Sequence, residues 1–146
     1  MAKRSVFPKG GRVLVVDDVP QNRLLLGLYC DELGLEHEDA ENGLEAVEAA
    51  GSGRFDVNLM DILMPRMDGM AAARAIRALP GAPAEIPIIA ITTAAAPGEV
   101  LRYLSCGMND VVPKPVERGR FAEAIRAILS QRQKAFEPVR EIRSVA

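Results

Sequence analysis

A length of 146 residues and a mass of 15.8 kDa make about one domain, since a domain takes roughly 100–200 residues, and exclude two large ones. Hydrophobic residues at 49% and charged residues at 26% leave enough apolar material for a core and no compositional sign of disorder, so the chain is expected to fold alone. A net charge of −2 and a pI near 5.5 lack the basic footprint of nucleic-acid binding, and the longest uncharged apolar run, Ile86 to Gly98, falls short of the ~20 residues of a membrane span.

In chain order, residues 1–11 read as an N-terminal tail with basic residues Lys3, Arg4 and Lys9 and no apolar stretch behind them, which does not describe a signal peptide. The cytoplasm is the expected compartment. Apolar residues then come in blocks rather than in alternation, at 13–16, 56–60, 86–91 and 111–112, as strands of a parallel sheet covered on both faces require. A helix opens at Pro20, carries Leu24, Leu25 and Leu28 at helical spacing, and stops at Gly34. The stretch 36–40 is a weaker strand. Asn42 with Glu45 three residues on resembles a capping box for a second helix through Ala50. Asp68 caps a third through Leu79, Pro97 opens a fourth that stops at Gly107, and a fifth runs from about Glu117 to Ser130. Strand followed by helix, five times, predicts a doubly wound α/β domain over 12–130 with right-handed crossovers. Residues 131–146 read as a helix end or tail.

Ligands of open α/β sheets bind beyond the carboxyl ends of the strands. Those ends carry Asp17 and Asp18, Asp61, Thr92 and Thr93, and Lys114. Two carboxylates about 4 Å apart repel by about 4 kcal/mol at an effective dielectric near 20, and a third adds more. Three carboxylates facing one ammonium therefore call for a proton or a hard divalent cation, and an all-oxygen site without His or Cys favours Mg²⁺. With a metal in place Asp61 is the candidate nucleophile, because a carboxylate can form an aspartyl phosphate, while Thr92 and Lys114 contact phosphoryl oxygens.

The stretches Val13-Leu-Val-Val-Asp17-Asp18 and Leu59-Met-Asp61-Ile-Leu-Met-Pro-Arg-Met-Asp-Gly69, with Thr92 after Ile-Ile-Ala-Ile and with Lys114-Pro115, resemble in order and spacing the receiver domains of two-component response regulators. MPRMDG and GMNDVVPKP look most like receivers of hybrid histidine kinases. The resemblance implies a flavodoxin-like (βα)5 fold with strand order 2-1-3-4-5. It implies Asp61 as phosphoacceptor, and Mg²⁺ (or Mn²⁺) held by Asp18, Asp61 and the main-chain carbonyl of Leu63, with Asp17 acting through metal-bound water. Thr92 is implied as the switch hydroxyl and Lys114 as its ionic partner. The implied partner is a histidine kinase or histidine phosphotransfer protein, followed by an unknown downstream protein, in a monomer or weak homodimer that is a binding module rather than an enzyme.

Departures from the family pattern are informative. Val111 stands where an aromatic switch residue is common, which moves the expected output toward the fourth helix and the loop before it, on a face with Val100, Leu101, Tyr103, Leu104 and Val111 itself, some of them exposed. Thr93 replaces a usual small Ala and Leu63 a usual polar residue, so both are expected to tune access to Asp61. Asn58 interrupts an apolar strand, and a buried amide without partners costs a few kcal/mol, so it is expected to find a partner or face water.

Blander readings hold elsewhere. Asp68 is a helix cap, His37 an exposed strand residue, Met60, Met64, Met67 and Met70 packing residues, and Cys30 and Cys106 reduced structural cysteines. Two other functions share the same residues. An aspartyl-phosphate phosphatase would resemble a pattern with two Asp residues two apart after the first strand, whereas Asp17 and Asp18 are adjacent. A phosphorylation-independent pseudo-receiver would suit Leu63, Thr93 and Val111 but leaves the acidic trio without a task.

Overall fold

The structure, a computed structural model, describes residues 11–135, with side chains through 131. Five parallel strands form one sheet: β1 (Arg12–Val16), β2 (Glu36–Ala40), β3 (Val57–Asp61), β4 (Ile88–Thr92) and β5 (Asp110–Pro113), in spatial order 2-1-3-4-5. The helices between and after them are α1 (Pro20–Glu32), α2 (Gly43–Gly51), α3 (Gly69–Arg77), α4 (Pro97–Ser105) and α5 (Arg118–Ala135), with a short 3₁₀ turn at Ala82–Glu85. This is the expected flavodoxin-like fold. The expected tail at 1–11 and the end of the chain beyond 135 lie outside the described residues, except Gly11; residues 131–135 continue α5.

Strand alternation divides the core in two. Val13, Val15, Leu59, Ile89, Ile91 and Val112 meet Leu26 and Cys30 of α1 and Phe121, Ile125 and Ile128 of α5. Leu14, Val16, Met60, Ile88, Ala90 and Val111 meet Ala46 and Ala50 of α2, Ala72, Ala73 and Ile76 of α3, and Tyr103 of α4. Each fully buried Val, Leu or Ile contributes about 1.5–3 kcal/mol, which explains apolar residues on both sides of the inner strands. The edge strand β2 is instead charged, with Arg12 bonded to Glu36 and Glu38, and Arg54 also bonded to Glu38. Charge on an edge discourages pairing with another chain.

Local signals place most helix starts. Asn42 Oδ1 accepts from Glu45 N at 3.0 Å, but the return arm of the expected capping box goes to Glu41 N and to the Asn42 side-chain amide. Asp68 Oδ1 accepts from Ala71 N at 2.8 Å, so Asp68 is a cap. β4 starts at Ile88 rather than Ile86 because Pro87 has no N–H to give to a ladder.

Three expectations need correction. Leu24, Leu25 and Leu28 are exposed, and α1 packs instead through Leu26, Gly27 and Cys30. The run Leu-Leu-Leu-Gly-Leu spreads apolar residues around the helix, so its spacing fits more than one face. His37 is half-buried, lies against Gly27 and bonds Asp31 through Nε2 at 3.0 Å, tying β2 to α1. Asn58 is fully buried with neither side-chain polar atom bonded, on the same face as Met60 and between Leu14 and Ile88 in the sheet register.

The methionines behave as packing residues: Met60 is buried and Met64, Met67 and Met70 pack against the same cluster. Cys30 and Cys106 are free and buried, and burial pushes the Cys30 thiol up to about 12, which leaves it unreactive.

Candidate functional site

The carboxyl edge of the sheet gathers the acidic residues by simple topology. β1 runs out into Asp17 and Asp18, and β3 ends on Asp61 beside it. Each of these three residues offers a carboxylate oxygen within 4.8 Å of the others. Asp17 is fully buried, Asp61 nearly so and Asp18 exposed.

Each anchor is fixed by backbone geometry. Asp17 N donates to Ala40 O, its Oδ1 accepts from Val19 N at 2.9 Å, and its carbonyl accepts from Arg23 Nη1 at 2.7 Å. Arg23 was not foreseen from the sequence; its only signal is its place one turn into α1. Asp61 is held by the return of the chain at Gly69, whose N–H donates to Ile62 O at 2.8 Å. A Cβ at Gly69 would collide with the Asp61 carbonyl, so the glycine allows a close approach that no other residue permits.

Lys114 completes the cluster. Its main-chain N–H donates to Thr92 O at 2.8 Å, which fastens the exit of β5 to the end of β4. Its Nζ then lies 3.2 Å from Asp17 Oδ2 and 3.1 Å from Asp61 Oδ1. Burial raises the Asp61 pKa above the ordinary carboxylate value; the Lys114 hydrogen bond opposes this and the Asp17 charge adds to it. At Lys114 burial disfavours the charge, yet Asp61 and Asp17 outweigh it and hold the ammonium above its usual range. One cation thus pairs with two of three clustered carboxylates, and among the described residues no second cation is bonded to the buried pair.

That imbalance fits a hard cation. Asp17, Asp18 and Asp61 supply only oxygen donors, close enough together to share one ion, with Asp18 open to solvent for its entry. The remaining sequence-predicted residues sit around this centre. Thr92 is buried at the end of β4, one residue past the partner of Asp61, and its Oγ1 accepts from Ala94 N at 3.0 Å. Leu63, two residues after Asp61, is 75% exposed, and Thr93 is exposed after β4.

A model of the response regulator receiver domain matches residues 13–126. The chain belongs to this family. The receiver is 39% identical over 116 residues to the sensor protein GacS of Pseudomonas syringae, covering 78% of this chain and 13% of that protein. It is 40% identical over 108 residues to the signal transduction histidine-protein kinase BarA of Escherichia coli, covering 74% of this chain and 12% of that one. The chain therefore spans about an eighth of the length of these curated relatives. Among solved structures, the receiver domain of a sensor histidine kinase from Pseudomonas aeruginosa, with a magnesium ion coordinated in its active site cleft, matches at 36% identity and a TM-score of 0.71, covering 82% of this chain and 94% of that one. The chemotaxis protein CheY4 of Vibrio cholerae matches at 28% identity and a TM-score of 0.75, covering 82% and 98%. Receivers are the signalling modules of two-component and phosphorelay systems, and the acidic cluster of this one fits metal binding.

The expected output face is corrected in part. Leu101 and Leu104 of α4 are exposed and Val100 is half-buried, but Tyr103 and Val111 are buried at 3% and 7% exposure. Tyr103 turns inward because α4 has one fully buried position, and that position carries the aromatic ring. No helix among the described residues is long and apolar enough to cross a membrane.

Proposed function

We propose that the receiver takes a phosphoryl group onto Asp61 from a phosphohistidine on a histidine kinase or histidine phosphotransfer protein. What supports this is the geometry of one carboxylate: Asp61 ends the central strand, within reach of Asp17 and Asp18 and 3.1 Å from Lys114 Nζ. An Asp61 oxygen attacks phosphorus, the O–P bond forms as the P–N bond breaks, and the imidazole nitrogen leaves with the bonding electrons. Water later attacks the acyl phosphate and restores the carboxylate with release of inorganic phosphate. Lys114 holds the acceptor oxygen in place and offsets charge on the transferred group. Asp18, Asp61 and the Leu63 main-chain carbonyl would hold Mg²⁺ (or Mn²⁺), with Asp17 acting through water, and the ion would supply charge neutralisation for the phosphoryl oxygens.

The same reading makes Thr92 the hydroxyl that turns toward the phosphoryl group, and Leu63 and Thr93 the side chains that tune access to Asp61. The folded unit is 12–130, in the cytoplasm, as a monomer or weak homodimer that biases a partner-binding surface and turns over no small phosphate ester. Nucleic acid and membrane are not its partners.

The test is intact mass after incubation with acetyl phosphate, with and without Mg²⁺, beside Asp61→Ala. One phosphoryl adduct that needs both the metal and Asp61 is the expected result. A folded protein that gains no adduct would instead be a phosphorylation-independent binding module, the reading that Val111 favours.

A further inference from the structure

Val111 fills the expected switch position of β5 as a small buried residue, so no aromatic side chain at that position joins the acceptor site to α4. The loop joining Thr92 to α4 is Thr-Ala-Ala-Ala, with no large side chain to anchor it. Hydrogen bonds hold it instead. Ala96 N donates to Glu99 Oε1 at 3.2 Å, and Ala94 is pinned on both sides of its Cα. The Ala94 N–H donates to Thr92 Oγ1 at 3.0 Å, and the Ala94 carbonyl, in the next peptide unit, accepts from Tyr103 Oη at 2.8 Å. The Tyr103 ring lies in the same buried cluster as Val111, Cys106 and Met108, so the phenol carries its apolar body in the core and its hydroxyl at the loop.

We propose that Tyr103 is the residue that couples the acceptor site to α4, as a positioning residue acting through the backbone of Ala94; the proposal rests on the phosphoacceptor reading above. The Thr92 side chain sits in one of a few staggered positions. Turning its hydroxyl toward a phosphoryl group on Asp61 takes it from Ala94 N–H. Ala94, released at its N–H, can turn about its own backbone dihedrals, and its carbonyl moves relative to Tyr103 Oη. A buried hydroxyl is costly to leave unpaired, so Tyr103 follows its acceptor or exchanges it. Either response shifts α4 beneath Leu101 and Leu104, the exposed apolar side chains next to Tyr103. A loop-and-helix element with two hydrogen-bonded arrangements is what a switch of this kind requires.

The test compares the parent chain with Tyr103→Phe, which keeps the ring and removes only the hydroxyl, before and after treatment with acetyl phosphate or beryllofluoride and Mg²⁺. Mass reports the Asp61 adduct, and NMR amide shifts report the loop and α4. The expected result is an equal adduct and equal shifts at Asp61 and Ile62 in both proteins, with the α4 shifts of Tyr103→Phe reduced by about half or more. Thr92→Val, cutting the chain one link earlier, is expected to suppress the Ala94 and α4 shifts together. Equal α4 shifts in parent and Tyr103→Phe overturn the coupling role alone. A parent chain that forms no adduct overturns the phosphoacceptor reading and this proposal with it.

Discussion

Lys114 Nζ lies 3.1 Å from Asp61 Oδ1, and the same ammonium is 3.2 Å from Asp17 Oδ2. One half-buried cation is thus divided between two buried carboxylates, with a third nearby. The arrangement is unfavourable for folding and favourable for a cation, and the two consequences separate in a mutant.

Replacing Asp61 by Asn keeps the shape and the acceptor oxygen toward Lys114 but removes one of two like charges. Without Mg²⁺, Asp61→Asn should therefore be more stable than the parent by on the order of 1–3 kcal/mol, the scale of like charges a few ångströms apart. Adding Mg²⁺ should raise the stability of the parent and leave the variant nearly unchanged. Urea unfolding with and without EDTA decides it, and a variant less stable than the parent in EDTA would count against the crowded-carboxylate account.

The pH dependence follows from the direction of the Asp61 shift. A carboxyl group whose pKa is raised by folding contributes stability that is present below its ordinary value, about 3.9, and is lost as pH rises through the raised one. The stability advantage of Asp61→Asn over the parent should accordingly be small in acid and grow as pH passes the raised pKa. Mg²⁺ competes with that proton, so its affinity for the parent should fall on acidification from a higher pH than an ordinary carboxylate would give. Glu38, whose pKa is lowered chiefly by its hydrogen bond to Arg54, acts oppositely: its contribution is lost as pH falls through that lowered pKa. Calorimetric Mg²⁺ titrations across acid pH test the first effect; a Mg²⁺ affinity flat down to the ordinary carboxylate range would refute it.

Sequence made the strand ends legible because a parallel sheet concentrates chemistry there, so Asp17, Asp18, Asp61, Thr92 and Lys114 follow from reading one or two residues past each apolar block. Face assignment was harder. In α1 the leucines surround the helix, and only the packing of Leu26 and Cys30 under the sheet selects the buried side. Tyr103 gave no sign of pointing inward, since the sequence does not show which turn of α4 rests on Ala90 and Val111. Arg77 was invisible as well, because its partners are carbonyls of residues far along the chain rather than an acidic side chain.

Arg77 ends α3 with a half-buried guanidinium that makes five hydrogen bonds. Nε and Nη2 reach Gly107 O at 3.0 and 2.6 Å, Nη1 reaches Ala84 O and Ile86 O, and Nη2 also reaches Asn109 Oδ1. The Asn109 oxygen in turn accepts from Ile88 N, so one side chain joins α3, the start of β4 and the loop between α4 and β5. Gly107 suits this clamp, with φ +101 and no room for a Cβ against Arg77. Arg77→Ala should cost about 2–4 kcal/mol, and Arg77→Lys should recover only part, because an ammonium lacks the planar fork. A loss within about 0.5 kcal/mol, as for an ordinary surface change, would show that the clamp does not bear on stability.

Asn58 offers the opposite case, a position where function-neutral stabilisation is available. Its amide is fully buried in β3 with Nδ2 and Oδ1 both unbonded among the described residues, flanked in register by Leu14 and Ile88 and on the same face as Met60. Desolvating an amide without partners costs about 1–3 kcal/mol on mutational scales, while a β-branched residue suits an inner strand. Asn58→Val should raise the unfolding free energy by about that amount, with Mg²⁺ affinity unchanged because the change lies on the α2–α3 face, away from the strand ends. A stabilised variant with normal metal binding fits an uncompensated amide. A destabilised one would mean that buried water satisfies Asn58 and that the amide is part of the core rather than a flaw in it.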